Sequence, residues 1–249
     1  MINYTKESDI VRRLTKIQAP GFAKYRNEWD QVNNFELETE FPLFLHIEPN
    51  YLCNFECPMC VQGIPDLKEK FGYDERLTTH DIGKIIKEGA RYNCPSISFQ
   101  GDNEPFLIKE IPEWFALAKN YGFQDIMVNT NGSAMTERLA KKVINSGLTR
   151  IRFSIDSIDK DTYQKIRIGG DLDKVIKNIM TFLTIRENLK SPLPMVGVNA
   201  VKMAENSAEI HNFINYHVQN WKSRYGRVRS PLRSRCSTRV LSSMPRNVP

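Results

Sequence analysis

No stretch of this 249-residue chain approaches the roughly 18 consecutive apolar residues that a membrane-spanning helix needs. No secretory leader and no lipidation motif opens it. These lacks make a cytoplasmic, reducing location the expectation, with no membrane partner. Cysteine is sparse as well. The count of five is odd, and with no leader it argues against the disulfide framework of a secreted domain. Only four histidines occur (His46, His80, His211, His217), and none stands at metal-ligand spacing from another. No internal repeat is detectable. What remains is ordinary for a globular chain, 41% hydrophobic and 26% charged. The length suits one large domain, or one domain with appendages.

Charge is absent in an uneven way. From Lys222 onward there are eight basic residues and no acidic one, which leaves residues 1–221 with 27 basic against 29 acidic. The net charge of +6 therefore belongs to the tail, and the body is nearly neutral. A nucleic-acid binder needs a structured basic face, and the body supplies none, so no nucleic acid is expected as a partner. The tail, 222–249, is rich in Arg, Ser and Pro without apolar period and is expected to be disordered. Two accounts of it compete: a basic arm for an acidic partner, or a reading frame shifted near residue 224 that removed the rest of a longer fold. The second is the preferred expectation.

Three of the five cysteines fall within eight residues, Cys53-Asn54-Phe55-Glu56-Cys57-Pro58-Met59-Cys60. Soft thiolates at such spacing suit zinc, copper(I) or an iron–sulfur cluster. A four-iron cluster held by three cysteines keeps one iron free for another ligand. A structural zinc site needs a fourth ligand, and the candidates are His46, seven residues upstream, and the distant Cys94. Around this loop the chain alternates. Apolar, β-branched runs at 43–48, 96–100, 125–129, 150–155 and 195–201 are separated by helix-period segments at 79–92, 111–121, 137–146, 171–188 and 207–221. Thr78 and Ser207 read as N-caps, and Gly122 and Gly147 as helix ends. Short helices are predicted over 9–14 and about 22–29, within an N-terminal helical extension 1–40. Strand–helix alternation points to a parallel sheet with right-handed crossovers, here a partial (β/α) barrel over 41–221, incomplete at its C-terminus. Chemistry in such folds collects at the carboxyl ends of the strands.

The cysteine loop after the first strand resembles the C-x3-C-x2-C hallmark of the radical S-adenosylmethionine (SAM) enzymes, a family with a TIM-barrel-like core. Three later strand ends fit the same likeness, which covers about 40–221. Gln100-Gly101-Asp102-Asn103-Glu104-Pro105 is similar to the family's Gly-Gly-Glu-Pro loop, with Asp102 and Asn103 in place of glycines. Asn129-Thr130-Asn131-Gly132 matches its Thr-Asn-Gly. Ser154-Ile155-Asp156 matches its Ser-x-Asp, and Arg167 a recurrent arginine. Read without the likeness, the first two are turns, Ser157 or Asp159 is a helix cap, and Arg167 is a solvent-facing side chain. Gly197 on the fifth strand is either a packing glycine or, by the likeness, a point of close approach for adenosine.

The resemblance implies a [4Fe–4S] cluster on Cys53, Cys57 and Cys60 whose open iron binds SAM. One electron then cleaves SAM to a 5′-deoxyadenosyl radical, which abstracts hydrogen from a substrate. It implies that Gly101, Glu104 and Ser154 bind SAM, that Met59 packs on the adenine through its polarizable sulfur, and that Asn131 and Asp156 lie nearby. It also implies an electron donor such as flavodoxin or ferredoxin. The substrate is unidentified, with peptides, sugars and cofactor precursors all open. With only Cys236 beyond the core, the auxiliary clusters of SPASM-type relatives cannot be built. The alternative expectation is a non-catalytic iron–sulfur-binding remnant of such an enzyme.

Overall fold

The computed structural model describes residues 7–18, 20–66, 76–209 and 212. Its centre is a five-stranded sheet in the order β1-β2-β3-β4-β5: β1 Phe44–Ile47, β2 Ser96–Phe99, β3 Asp125–Thr130, β4 Arg150–Ser154 and β5 Met195–Asn199. All four pairings are parallel, and the sheet is not closed. Strand order equal to sequence order means every crossover steps to the next position, which is how a barrel wall grows. All five predicted strands form.

Between strands run α3 Thr79–Arg91, α4 Ile111–Asn120, α5 Glu137–Ile144, α6 Lys160–Ile166 and α7 Leu172–Asn188. Their starts follow local chemistry. Thr78 caps α3 in a reciprocal box with Asp81, each side chain bonding the other's backbone N–H. Thr136, Asp159 and Asp171 accept from the third residue of α5, α6 and α7. Gly122 and Gly147 follow α4 and α5 at φ +90° and +83°, the left-handed region that costs glycine least.

Alternation along each strand divides the side chains. Ile47, Ile97, Phe99, Ile126, Val128, Ile151 and Phe153 point toward the helices and form the main core with Ile86, Phe115, Val143, Val175 and Phe182. Each such aliphatic or aromatic side chain contributes about 1.5–3 kcal/mol on burial. The opposite, inner face is mainly polar, with Phe44, Met127 and Met195 its apolar members. His46 pairs with Ser98, Asn129 with Arg152, and Ser154 with Asn199. Low on this face Arg150 forms a buried ion pair with Asp125, whose Oδ1 also accepts from the Thr149 hydroxyl at 2.8 Å.

Two helices precede the sheet: α1 Glu7–Gln18 and α2 Gly21–Asn33, both longer than predicted. Ile10, Leu14, Phe22 and Tyr25 form a second, smaller core that also takes in Leu43, Leu193 and Met195. Those three residues lie where β1 and β5 begin. The pair of helices thus touches both edges of the open sheet at its amino end, and Gln18 Nε2 reaches Gln124 O, just before β3, at 2.8 Å.

Two expectations change. The helix α6 was not predicted, although its cap Asp159 was. Ser207 is no N-cap: residues 204–209 are turn, and its hydroxyl donates to Ala204 O at 3.0 Å. The rest of the predicted helix to 221, apart from residue 212, lies outside the described residues, as does the tail 222–249.

Candidate functional site

Cys53, Cys57 and Cys60 occupy the loop leaving β1, at the carboxyl end of the sheet. The loop is tightly wound. Cys60 N donates to Cys57 O at 2.9 Å, Gly63 N to Cys60 O at 3.0 Å, and Phe55 N to Cys53 Sγ at 3.4 Å. A Cβ at Gly63 would stand 2.5 Å from Cys57 O, so the turn after the last cysteine requires glycine. Phe55, fully buried, roots the loop in the protein.

Each neighbouring strand end grips this loop. From the β2 side, Glu104 N donates to Leu52 O at 2.8 Å. Gln62 Nε2 donates to Tyr51 O at 2.7 Å and to Asp102 O at 2.9 Å. From the β3 side, Asn131 Nδ2 donates to Asn54 Oδ1, and Asn54 Nδ2 donates to Ser133 Oγ, at 3.0 and 2.9 Å. Beyond α6, Ile168 O accepts from Glu56 N at 3.0 Å. There Gly169 (φ +88°) passes so near Asn54 O that a side chain would press on it. Asn54, Gln62 and Gly63 were not singled out from the sequence, because nothing in their type marks them. The Gly169-Gly170 pair was the one visible signal.

Within the β2 loop, Gly101 has an ordinary φ, and space rather than torsion demands it. A Cβ there would overlap the Glu48 carboxyl, which accepts a very short bond from Asp102 N. Glu48 was not singled out from the sequence either. Glu104 is fully buried, and its carboxylate accepts from Thr130 Oγ1 (2.6 Å), Asn131 N (2.6 Å) and Phe106 N (3.1 Å). Burial raises its pKa despite these donors. Its side chain therefore braces the β2 and β3 ends against each other.

At the β4 end, Ser154 stands on the inner face opposite Asn199. Asp156 is fully buried. One oxygen accepts from Val201 N at 2.7 Å and the other pairs with Arg167 Nε. Arg167 does not face solvent. Its Nη1 lies 3.7 Å from Cys57 Sγ, so this arginine joins Asp156 to the cysteine loop. Met59 is half-buried in the Cys57–Cys60 turn, and Gly197 lies beside the Arg152 side chain. Of the candidate residues, Glu104, Asn131 and Asp156 are thus wired into the cysteine loop. Met59 belongs to that loop itself, and Ser154 shares with it only the carboxyl end of the sheet.

Burial raises all three thiol pKa values, that of Cys53 to about 11, and neighbouring thiols add to the rise at Cys53 and Cys57. Arg167 opposes the rise at Cys57. Such a set stays protonated until a cation neutralises the thiolates. Among the described residues no three His, Cys, Asp or Glu side chains converge as a single ion requires; a cube of four irons instead gives each thiol its own metal corner. The buried Gln62 Oε1, Gln100 Oε1 and Asn103 Oδ1 have no hydrogen-bond partner among the described residues. Acceptors of this kind around the β2 loop suit an ammonium. The residues present therefore fit a cluster with an amino-bearing ligand.

Known proteins agree with this picture. The family model described as the Radical SAM superfamily matches residues 47–216. The GTP 3′,8-cyclase of Alkaliphilus oremlandii is 32% identical over 173 residues, 69% of this chain and 51% of the relative. A probable GTP 3′,8-cyclase of Sulfurisphaera tokodaii is 27% identical over 175 residues, 70% and 52%. The chain spans about half the length of these curated relatives. Among solved structures, Streptococcus suis SuiB bound to S-adenosylmethionine superposes with a TM-score of 0.60 at 16% identity, over 80% of this chain and 43% of that one. At that identity the likeness is one of fold.

Proposed function

This chain belongs to the radical SAM superfamily, and on that premise we propose that it is an enzyme whose cluster is held by Cys53, Cys57 and Cys60. The superfamily uses a [4Fe–4S] cluster and SAM, which together supply a 5′-deoxyadenosyl radical for hydrogen abstraction. The observation that carries the proposal is the binding of one three-thiol loop by the ends of β2, β3 and α6 at the mouth of a parallel sheet.

The chain's own residues divide the work. Gly101 and its neighbours offer backbone and amide acceptors to the SAM amino group, and Glu104 holds that loop in shape from beneath. Ser154 presents its hydroxyl from the inner face to the SAM carboxylate or ribose. Met59 lies against the adenine. Asn131 and Asp156 act through the cysteine loop, Asn131 by tying it to β3 and Asp156 by orienting Arg167. A flavodoxin or ferredoxin delivers the electron.

The substrate lies in the polar trough of the inner face, whose His46, Asn129, Arg152 and Asn199 suit a ligand rich in hydrogen-bond acceptors. GTP is the first substrate to offer, because the relatives carry its name. Anaerobic reconstitution should load roughly four irons per chain, and Cys53→Ala should abolish loading. The reduced protein with SAM should release 5′-deoxyadenosine, read by liquid chromatography. A chain that loads its cluster and releases none is the non-catalytic remnant, and the proposal fails. A chain that holds zinc in place of iron sinks it earlier.

A further inference from the structure

Among the described residues, Arg167 brings a permanent positive charge to a cysteine of the loop, and its surroundings hold it there. Nη1 lies 3.7 Å from Cys57 Sγ, while Nε pairs with Asp156. The Asp156 carboxylate is fixed in turn by Val201 N at 2.7 Å, and its backbone oxygen takes Asn206 Nδ2 at 2.8 Å. Immediately after Arg167 the backbone bonds Glu56 N through Ile168 O and presses Gly169 against Asn54 O. Guanidinium and thiol are therefore clamped from both sides. The Arg167 side chain is 13% exposed and that of Asp156 0%, so water screens neither charge well.

We propose that the Asp156–Arg167 pair sets the reduction potential of the cluster through Cys57, with Arg167 raising it and Asp156 moderating the rise. The inference rests on the cluster reading above. Reduction adds one negative charge to a cluster with its thiolates. A guanidinium donating to a coordinating sulfur favours that more negative state, and it keeps its proton at any working pH. A carboxylate one residue further out opposes it from a greater distance. The two residues therefore act with opposite signs. A role confined to folding or to loop geometry would not do so, since either loss would disturb the same contact in the same way.

The test is a spectroelectrochemical titration of reconstituted protein without SAM, with iron content and circular dichroism recorded alongside. Arg167→Met should shift the midpoint to more negative values by at least tenfold in the reduction equilibrium, which for one electron is 59 mV. Arg167→Lys, keeping the charge but not the fork, should recover part of it. Asp156→Asn keeps an acceptor for Val201 N and should shift the midpoint the other way. Potentials that do not move, or that move in the same direction in Arg167→Met and Asp156→Asn, overturn the inference. So does a folded state of both variants that loads no iron, because the pair then serves assembly. If only Arg167→Met fails to load, the sign of the Asp156→Asn shift decides. A wild-type chain that takes up no cluster fails the function proposal instead, and iron content separates the two failures.

Discussion

Exchanging Glu104 for glutamine keeps the shape of the side chain but reverses one of its polar ends. Three donors converge on this carboxylate, and a glutamine there would turn its amide N–H2 toward at least one of them. Leaving a buried donor unmet costs about 1–3 kcal/mol, so the urea midpoint of Glu104→Gln should fall accordingly without change of slope. The sign of the pH effect follows from burial, which raises the folded-state pKa. A raised acid binds its proton more tightly in the fold than in the open chain. Its contribution is full below the ordinary glutamate value of about 4.3, declines as pH rises toward the raised value, and is level above it. Glu104→Gln should lack that decline. Superimposable stability–pH curves for the two proteins would count against it. At this scale the motif residues were legible and their roles less so. The sequence named Glu104 but not the three donors its carboxylate accepts from, and Arg167, matched to a family arginine but as readily read as solvent-facing, is buried against Cys57. Motif spacing names a residue, but only neighbours from other strands reveal what its side chain is already bonded to.

Among the elements, α1 and α2 were predicted as helices with no chemistry. Their placement shows what they contribute: they span the open sheet at its amino end, touching the approaches to both β1 and β5. The unclosed barrel thereby gains a floor that hydrogen bonding does not provide. Phe22, fully buried and stacked edge-on with Tyr25, is its keystone. Phe22→Ala should cost about 3–5 kcal/mol and lower the thermal midpoint. Iron loading in the cold should persist, because the cysteine loop sits at the opposite end of the strands. An unchanged midpoint would mean that the helices only decorate the sheet. The strands were legible because β-branched runs separated by helical periods leave few other readings. The helix α6 was missed, since seven residues are too few to show a 3.6 period.

For the whole molecule, the decisive feature is a sheet with one apolar face and one mainly polar face. Barrel interiors are ordinarily filled with branched aliphatic side chains, and here Ser98, Asn129, Arg152 and Asn199 stand in such positions. The substrate proposed above draws on these polar side chains. Arg152→Gln should weaken substrate binding at least tenfold while leaving substrate-independent release of 5′-deoxyadenosine near the wild-type rate. Equal loss of both would move Arg152 from the substrate to the scaffold.

The amino-acid order alone determined the alternation of strands and helices, the trio of thiols and the strand ends that carry chemistry. These depend on local period and short spacing, which the chain carries within a few residues. Only the tertiary structure decided which polar groups are occupied. Glu48 under Gly101, Asn54 against Asn131 and Arg167 on Cys57 are each joined across more than 50 residues. Contacts of that separation exist once the sheet has aligned its carboxyl ends, and not before.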